Sequence, residues 1–447
     1  MKKILWTVAA IPMLILLFIG AVIANNVFFD ETLNAKAAAT GEPGASSVPE
    51  AQNGYLALIA MGAADGADGP AYARAWLAET RAAARENRAE KAVEVKRATR
   101  PDLCDAAQVS CLAAVQDKAE GINAQLDAYK EDLQRYEQLI ASRAYEEVLD
   151  YPARLESRFP PYAQVGRAQR AYLVRAALAV QAGNIEDALS AVERDMAFQR
   201  VMLGGTRTLI GKMVAAANYS RDLAFVADLL QTRKADLKPF APRLTEMLKP
   251  IAPAALRLDA AFESEFGMMK QALKNPAAAS SVVQGSVYEM IGTRFFYKPN
   301  ATINKFYGSY MQIAELSRKP PAVLARDGQK PHPASEEMKF RDYIDNPIGN
   351  VLLRIATPSF GSYALRLHDL DAYNRLLGLG VEIIAADVDA EGVADFVAKS
   401  DARFHDPYSG KPMAWDAGSK QLSFKGSDAL AKRKCFNMDK GRLFLRM

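Results

Sequence analysis

An uncharged, strongly apolar run from Ile4 to Ala24 follows Lys2 and Lys3, and the next charge along the chain is Asp30. Nothing else in the sequence narrows the architecture as far, because about 20 apolar residues at the helical rise match the hydrocarbon thickness of a bilayer. The apolar region of a cleaved signal peptide is about 7 to 15 residues, so the length predicts an uncleaved anchor bounded by Ile4 and Ala24. Val22-Ile23-Ala24 also has the small-residue ending of a cleavage site; under that rival reading the rest of the chain is exported all the same. The positive charge sits before the run and acidic residues follow it, so the N-terminus stays in the cytoplasm. The expectation is a single-pass inner-membrane protein whose bulk is periplasmic.

That bulk has the composition of a folded chain: of 447 residues, 50% are hydrophobic and 24% charged. Lys plus Arg number 56 against 52 Asp plus Glu. Setting aside Lys2 and Lys3 leaves 54 against 52, with both signs interspersed, which argues against nucleic acid as a partner. Residues 1–29 read as the membrane anchor. Residues 30–52, ending in TGEPGASSVPEAQ, read as a flexible linker too polar and proline-broken to order itself. Residues 53–400 read as a helical extracytoplasmic domain and 401–447 as a small β-hairpin tail. The fold class is thus mainly α: one transmembrane helix, a helical-hairpin body and a small C-terminal antiparallel β element.

Within the body, Ala71 to about Ala98 has high helix propensity and ends before Pro101. From Cys111 to Tyr151, Leu126, Tyr129, Leu133, Tyr136 and Ile140 recur at helical spacing and predict one buried face. Arg167–Ala182 and the helix restarting at Ile185 flank Gly183-Asn184 as an antiparallel pair. This pair is similar to one tetratricopeptide-type hairpin, but the period of about 34 residues does not recur. Further helical patterns run over Leu209–Thr232, Leu244–Lys249, Ala254–Leu273, Asn350–Ile355 and Ser362–Ala386. In the tail, Met413–Trp415 and Gln421–Phe424 alternate around Asp416–Ser419 as one hairpin, and Cys435–Met438 with Leu443–Leu445 as a second.

Chemistry-bearing motifs are few. The histidines are His332, His368 and His405, and there is no HExxH, phosphate loop, nucleophile elbow or complete dinucleotide fingerprint. No metal, cofactor or catalytic residue is assigned. Asp65 and Asp68 in the Gly62–Gly69 stretch read as parts of a turn-rich loop. Asp259 and Glu263 stand one helical turn apart, as an acid and base pair would, although that spacing equally describes a solvated face. Cys104 and Cys111 read as a disulfide stapling the turn between two helices in an oxidising compartment, and Cys435 as a buried free thiol. One segment is rich in aromatics: Phe295, Phe296, Tyr297, Phe306, Tyr307 and Tyr310 surround Lys298–Thr302. Read as a loop, it is the candidate partner-binding surface, with core packing as the competing account.

The segment His405-Asp406-Pro407-Tyr408-Ser409-Gly410-Lys411-Pro412-Met413, followed by an apolar strand, resembles the D-P-F/Y-S/T-G-x-P-L tail of uncharacterised, membrane-anchored proteobacterial envelope proteins. Met413 stands where that pattern has Leu. NGYLAL from Asn53 and KPNATIN from Lys298 resemble segments of the same group. The resemblance implies location and architecture and brings no activity. In its own right Asp406-Pro407 with Ser409-Gly410 is turn chemistry and predicts a structural corner. The function expected is that of a membrane-anchored periplasmic binding or scaffold protein, with an envelope protein or cell-wall material as partner. The alternative is a periplasmic hydrolase acting on cell-wall or glycan material through a carboxylate pair.

Overall fold

A helix of this apolarity cannot bury itself against a body that has its own core, and α1 (Lys2–Phe28) accordingly presents Ile11 to Ile19 to the outside. In the computed structural model it is the one helix, among the described residues, long and apolar enough to cross a membrane. The structure describes all residues except 1, 92–94, 117, 152–153, 275–286, 328–337, 357–360, 428–436 and 440–441. His332 and Cys435 lie outside the described residues. The fold is mainly helical with one N-terminal apolar helix and a small C-terminal antiparallel sheet, as the periodicities predict.

The last turn of α1 is bonded to the body. Asn26 is buried; its side chain donates to the Ile344 carbonyl (2.8 Å) and accepts from the Asn346 amide (2.7 Å). The following residues, expected to be a flexible linker, are bonded to the body along their length. α2 (Ala35–Ala39) sits in this stretch with Ala37 buried. Lys270, fully buried, donates from Nζ to the carbonyls of Ala38 and Thr40 (both 2.7 Å) and to Glu42 (2.7 Å). Gly41 lies so close to Gly267 that a Cβ on either would collide with the other's backbone. Further on, Ser46 and Ser47 bond Glu146. The polar groups that keep this segment from forming a core of its own are the groups the body captures.

The body opens with α3 (Gly54–Ala60) and α4 (Gly69–Arg85). Asp68 caps α4 by accepting from the Ala71 amide (3.0 Å), and Asp65 pairs with Arg100 (2.7 Å). α4 ends well before Ala98. Asn87 takes a left-handed conformation (φ 51°) just past its end, closing the last turn as glycine usually does. The expected helix from Cys111 to Tyr151 is three shorter ones, α5 (Cys111–Gln116), α6 (Ala119–Asp127) and α7 (Lys130–Ile140), followed by non-helical chain. Cys104 and Cys111 form a disulfide, with Cα atoms 5.8 Å apart.

α8 (Tyr162–Gln181) and α9 (Ile185–Gly205) make the expected hairpin, turning at Gly183 with φ 84°. They pack on α10 (Leu209–Thr232), which is apolar on nearly every side and buried accordingly. The short α11 (Lys234–Leu237) and α12 (Ala241–Met247) lead to α13 (Asp259–Lys274). Next come α14 (Val287–Phe296), α15 (Pro299–Ser317), α16 (Pro321–Asp327) and α17 (Pro347–Ala356). α18 (Gly361–Ala385) crosses α10 and α12, and α19 (Val393–Ala398) precedes the tail.

In the tail, β1 (Ala414–Asp416), β2 (Gln421–Lys425), β3 (Met438–Asp439) and β4 (Arg442–Arg446) order as β1-β2-β4-β3, all antiparallel. Leu422, Phe424, Leu443 and Leu445 face α18, where Gly380 leaves room for Leu445. Tyr408 of the turn motif donates to Asp369 on α18 (2.7 Å), and Asp406 accepts from the Tyr408 amide (2.9 Å) and the Ser409 hydroxyl (2.9 Å). The motif is a corner that pins the sheet to the body.

Two carboxyls are buried where α9 meets α10. Asp195 accepts from Tyr136 (2.7 Å) and Gln199 (2.8 Å), and Asp222 accepts from Gln169 (3.1 Å). Burial pushes both above the usual carboxylate range, Asp222 well above it, with the charge of Asp195 and a hydrogen bond to it adding to the effect. Burial beside Asp195 thus favours the protonated form of Asp222. The folded state binds more protons than the unfolded state from about pH 4 up to the raised folded value. Stability contributed here is complete below that window and falls as pH rises through it. Asp222→Asn supplies the same donor without a titrating proton. Its melting temperature is expected to exceed that of the parent by a margin that widens from pH 5 to pH 9. Parallel melting curves across that range would remove the shared proton from the account.

Candidate functional site

The chain entering α10 creates the site. Thr208 caps the helix through the Gly211 amide (3.1 Å), leaving the amides of Arg207 and Thr208 pointing outward. Glu147 fills that position: one oxygen accepts from both amides (2.7 and 2.6 Å), the other from the hydroxyls of Tyr162 (2.7 Å) and Thr208 (3.1 Å). Gly211 permits this approach, since a Cβ there would strike the Glu147 carboxylate. Glu265, from α13, accepts from the next amide, Leu209 (3.3 Å). Two acids thus share the positive end of one long helix. Burial pushes both above the usual carboxylate range, opposed in each by the amide bonds. One turn into α10, burial lowers Lys212 to about 8, while Glu147 and Asp259 act in the opposite sense; its ammonium donates to the Leu203 carbonyl.

Above this helix end lies a cavity of about 440 Å³. Leu149, Leu209, Ile210, Met213 and Met268 supply apolar wall, and Tyr55, Tyr162 and Tyr363 supply ring faces. Three arginines reach it. Arg154 donates to the Arg88 carbonyl (3.0 Å). Arg158 is bound to Glu90 and lies 5.2 Å over the Trp76 ring, yet its Nη2 is buried without a partner among the described residues. Arg366 stacks 4.9 Å over Tyr363, and its Nε is likewise buried and unpaired among those residues. Guanidinium groups beside an otherwise largely apolar wall give the cavity the chemistry to hold an oxygen-bearing, electron-rich group.

The residues singled out from sequence fall elsewhere. Asp259 is held by Arg257 and by Arg318 (2.8 Å), Glu263 is exposed, and neither lines the cavity. The aromatic segment is not a loop: Phe295 and Phe296 end α14, and Phe306, Tyr307 and Tyr310 lie on α15. Tyr297, Phe306 and Tyr310 are core, with Phe306 stacked on Phe266 at 6.1 Å and Tyr310 4.4 Å from Phe306. Phe295, Phe296 and Tyr307 are half-buried. An alternation of aromatics at helical spacing is what a two-helix seam needs, and here α13 is the other half of the seam. The KPNATIN segment opens α15 and is tied to the anchor. Asp30 accepts from the amides of Asn300 (2.9 Å) and Ala301 (3.0 Å), capping α15 from the end of α1.

His368, on α18, is buried, which lowers it to about 4 against the pull of Asp371. His405 sits between the carbonyls of Gly410 and Ser400, both at 3.1 Å, within the corner it helps to fold. No group of three or more His, Cys, Asp or Glu side chains converges among the described residues. Glu147, Glu265, Arg158 and Arg366 had no motif to expose them. The one local signal is Thr208-Leu209-Ile210-Gly211, a cap followed by a small residue.

No protein-family model, curated protein or solved structure matches the chain.

Proposed function

We propose that this chain is a membrane-anchored binding protein of the bacterial envelope, held at the inner membrane by α1 with its body in the periplasm. Its site is the cavity at the start of α10, and its occupant is a small amphipathic molecule carrying an acidic or carbonyl oxygen. The observation that carries this is the convergence of Arg154, Arg158 and Arg366 on a cavity whose remaining wall is largely apolar. Its volume falls in the range of about 300 to 1,000 Å³ typical of small-molecule sites. The lining fits a ligand better than it fits catalysis, because both oxygens of Glu147 are committed to the α10 cap.

Native mass spectrometry of the full chain released from nanodiscs tests this. The parent is expected to carry a small acidic adduct. Ile210→Trp, which fills the cavity from its rim, should lose the adduct, and Arg366→Leu should reduce occupancy about tenfold, the loss of one charge-assisted hydrogen bond. A parent free of adduct would sink the proposal. A hydrolytic reading is favoured by one observation, the raised acid Glu265 beside the cavity. An adduct that accumulates in Glu265→Gln and is missing from the parent would select turnover instead of storage.

A further inference from the structure

The side of the body that meets the end of α1 carries unburied aromatics. Phe28 and Phe29 are 77% and 69% exposed. Phe340 and Tyr343, on a single helical turn between Lys339 and Ile344, are 77% and 61% exposed, and the Arg341 side chain between them is more exposed still. This turn cannot sit away from the anchor. The Ile344 carbonyl takes its hydrogen bond from Asn26, and Asp345 accepts from Asn25 (3.2 Å) while pairing with Lys298 (2.6 Å). α14 packs against α1 and α17 packs against α14, with Val351 on α17 exposed as well.

The depth follows from the helix. The apolar window Ile4–Ala24 has 21 residues, which at 1.5 Å each span about 32 Å, close to the hydrocarbon thickness of about 30 Å. If that window fills the bilayer, Asn25 and Asn26 lie at its outer boundary, and so do the residues bonded to them. We propose that Phe340, Arg341 and Tyr343, with Phe28 and Phe29, form a seat that inserts in the headgroup layer of the leaflet from which α1 emerges. Aromatic rings and cations at that depth are the composition that bilayer interfaces select. The occupant is lipid because continuity with α1 leaves no other medium at that level. The inference rests on α1 spanning the membrane.

Tryptophan placed at the seat reports its surroundings. In the full chain in nanodiscs, Phe340→Trp should lose most of its added emission, measured against the parent, to lipids brominated near the headgroup end of the acyl chain, and little to aqueous iodide. Val109→Trp, in the disulfide loop, should respond in the opposite way. Leu16→Trp, at the middle of α1, should be quenched by lipids brominated deep in the chain. Phe340 and Val109 are largely or half exposed, so matching melting temperatures will certify the fold. Quenching at position 340 by iodide alone, with deep quenching at 16, overturns the seat and leaves the anchor standing; iodide quenching at 16 overturns the anchor itself.

Discussion

Replacing Lys270 with methionine is expected to cost about 3 to 5 kcal/mol of stability, the usual result of removing one partner from a buried charged cluster. The ammonium is fully buried and serves the carbonyls of Ala37, Ala38 and Thr40 together with Glu42. Methionine fills the stem and none of the acceptors, so three carbonyls at the end of α2 would be left without their donor. A urea midpoint measures the loss. Proteolysis locates it, since cleavage between residues 40 and 52 should become faster before the body unfolds. A loss under about 1 kcal/mol would mean that water replaces the ammonium, as at an exposed pair.

Phe306→Ala should be of similar size, about 3 to 5 kcal/mol for a fully buried ring. Phe306 has no exposed surface and meets Phe266 and Tyr310 between α13 and α15. Phe295→Ala, half-buried at the end of α14, should cost clearly less. Chemical denaturation of the two variants compares them directly. Equal losses would place Phe295 in the core as well and leave neither phenylalanine at the surface.

That segment marks where the sequence is ambiguous. Three- and four-residue spacing of aromatics states that one face is special; it does not state whether a second helix or a partner covers that face, and α13 is too far along the chain to be read together with α15. Local grammar is legible at several places: Gly183 turns α8 into α9, Cys104 finds Cys111, and Asp406 through Gly410 makes a corner. The breaks that divide Cys111–Ile140 into three helices are one exception, and Asn87 is another. Its left-handed backbone ends α4 ahead of any proline, although asparagine is second only to glycine in such positions. The segment after α1 departs from its expected flexibility for a different reason. Its own composition forbids a core, but its fixity is written in Lys270, Gly267 and Glu146, all remote in sequence. The cavity is hidden in the same way, since Glu147, Glu265 and Arg366 come from the chain after α7, from α13 and from α18, and meet only once these have packed.

The hydrogen bonds of Asn26 and Asp30 set the body's reach. A free coil of the length of residues 30–52 would let a domain sample a sphere roughly 26 Å in radius. Bonded at both the last turn of α1 and the first turn of α15, the body samples almost none of it. It stands as a mast does, with one height and one facing. Under the proposed function, a ligand has to come to the cavity's fixed altitude. With α1 spanning a membrane, as proposed, every copy presents its opening at the same level, so neighbouring copies would form a layer of sites in register with the bilayer plane.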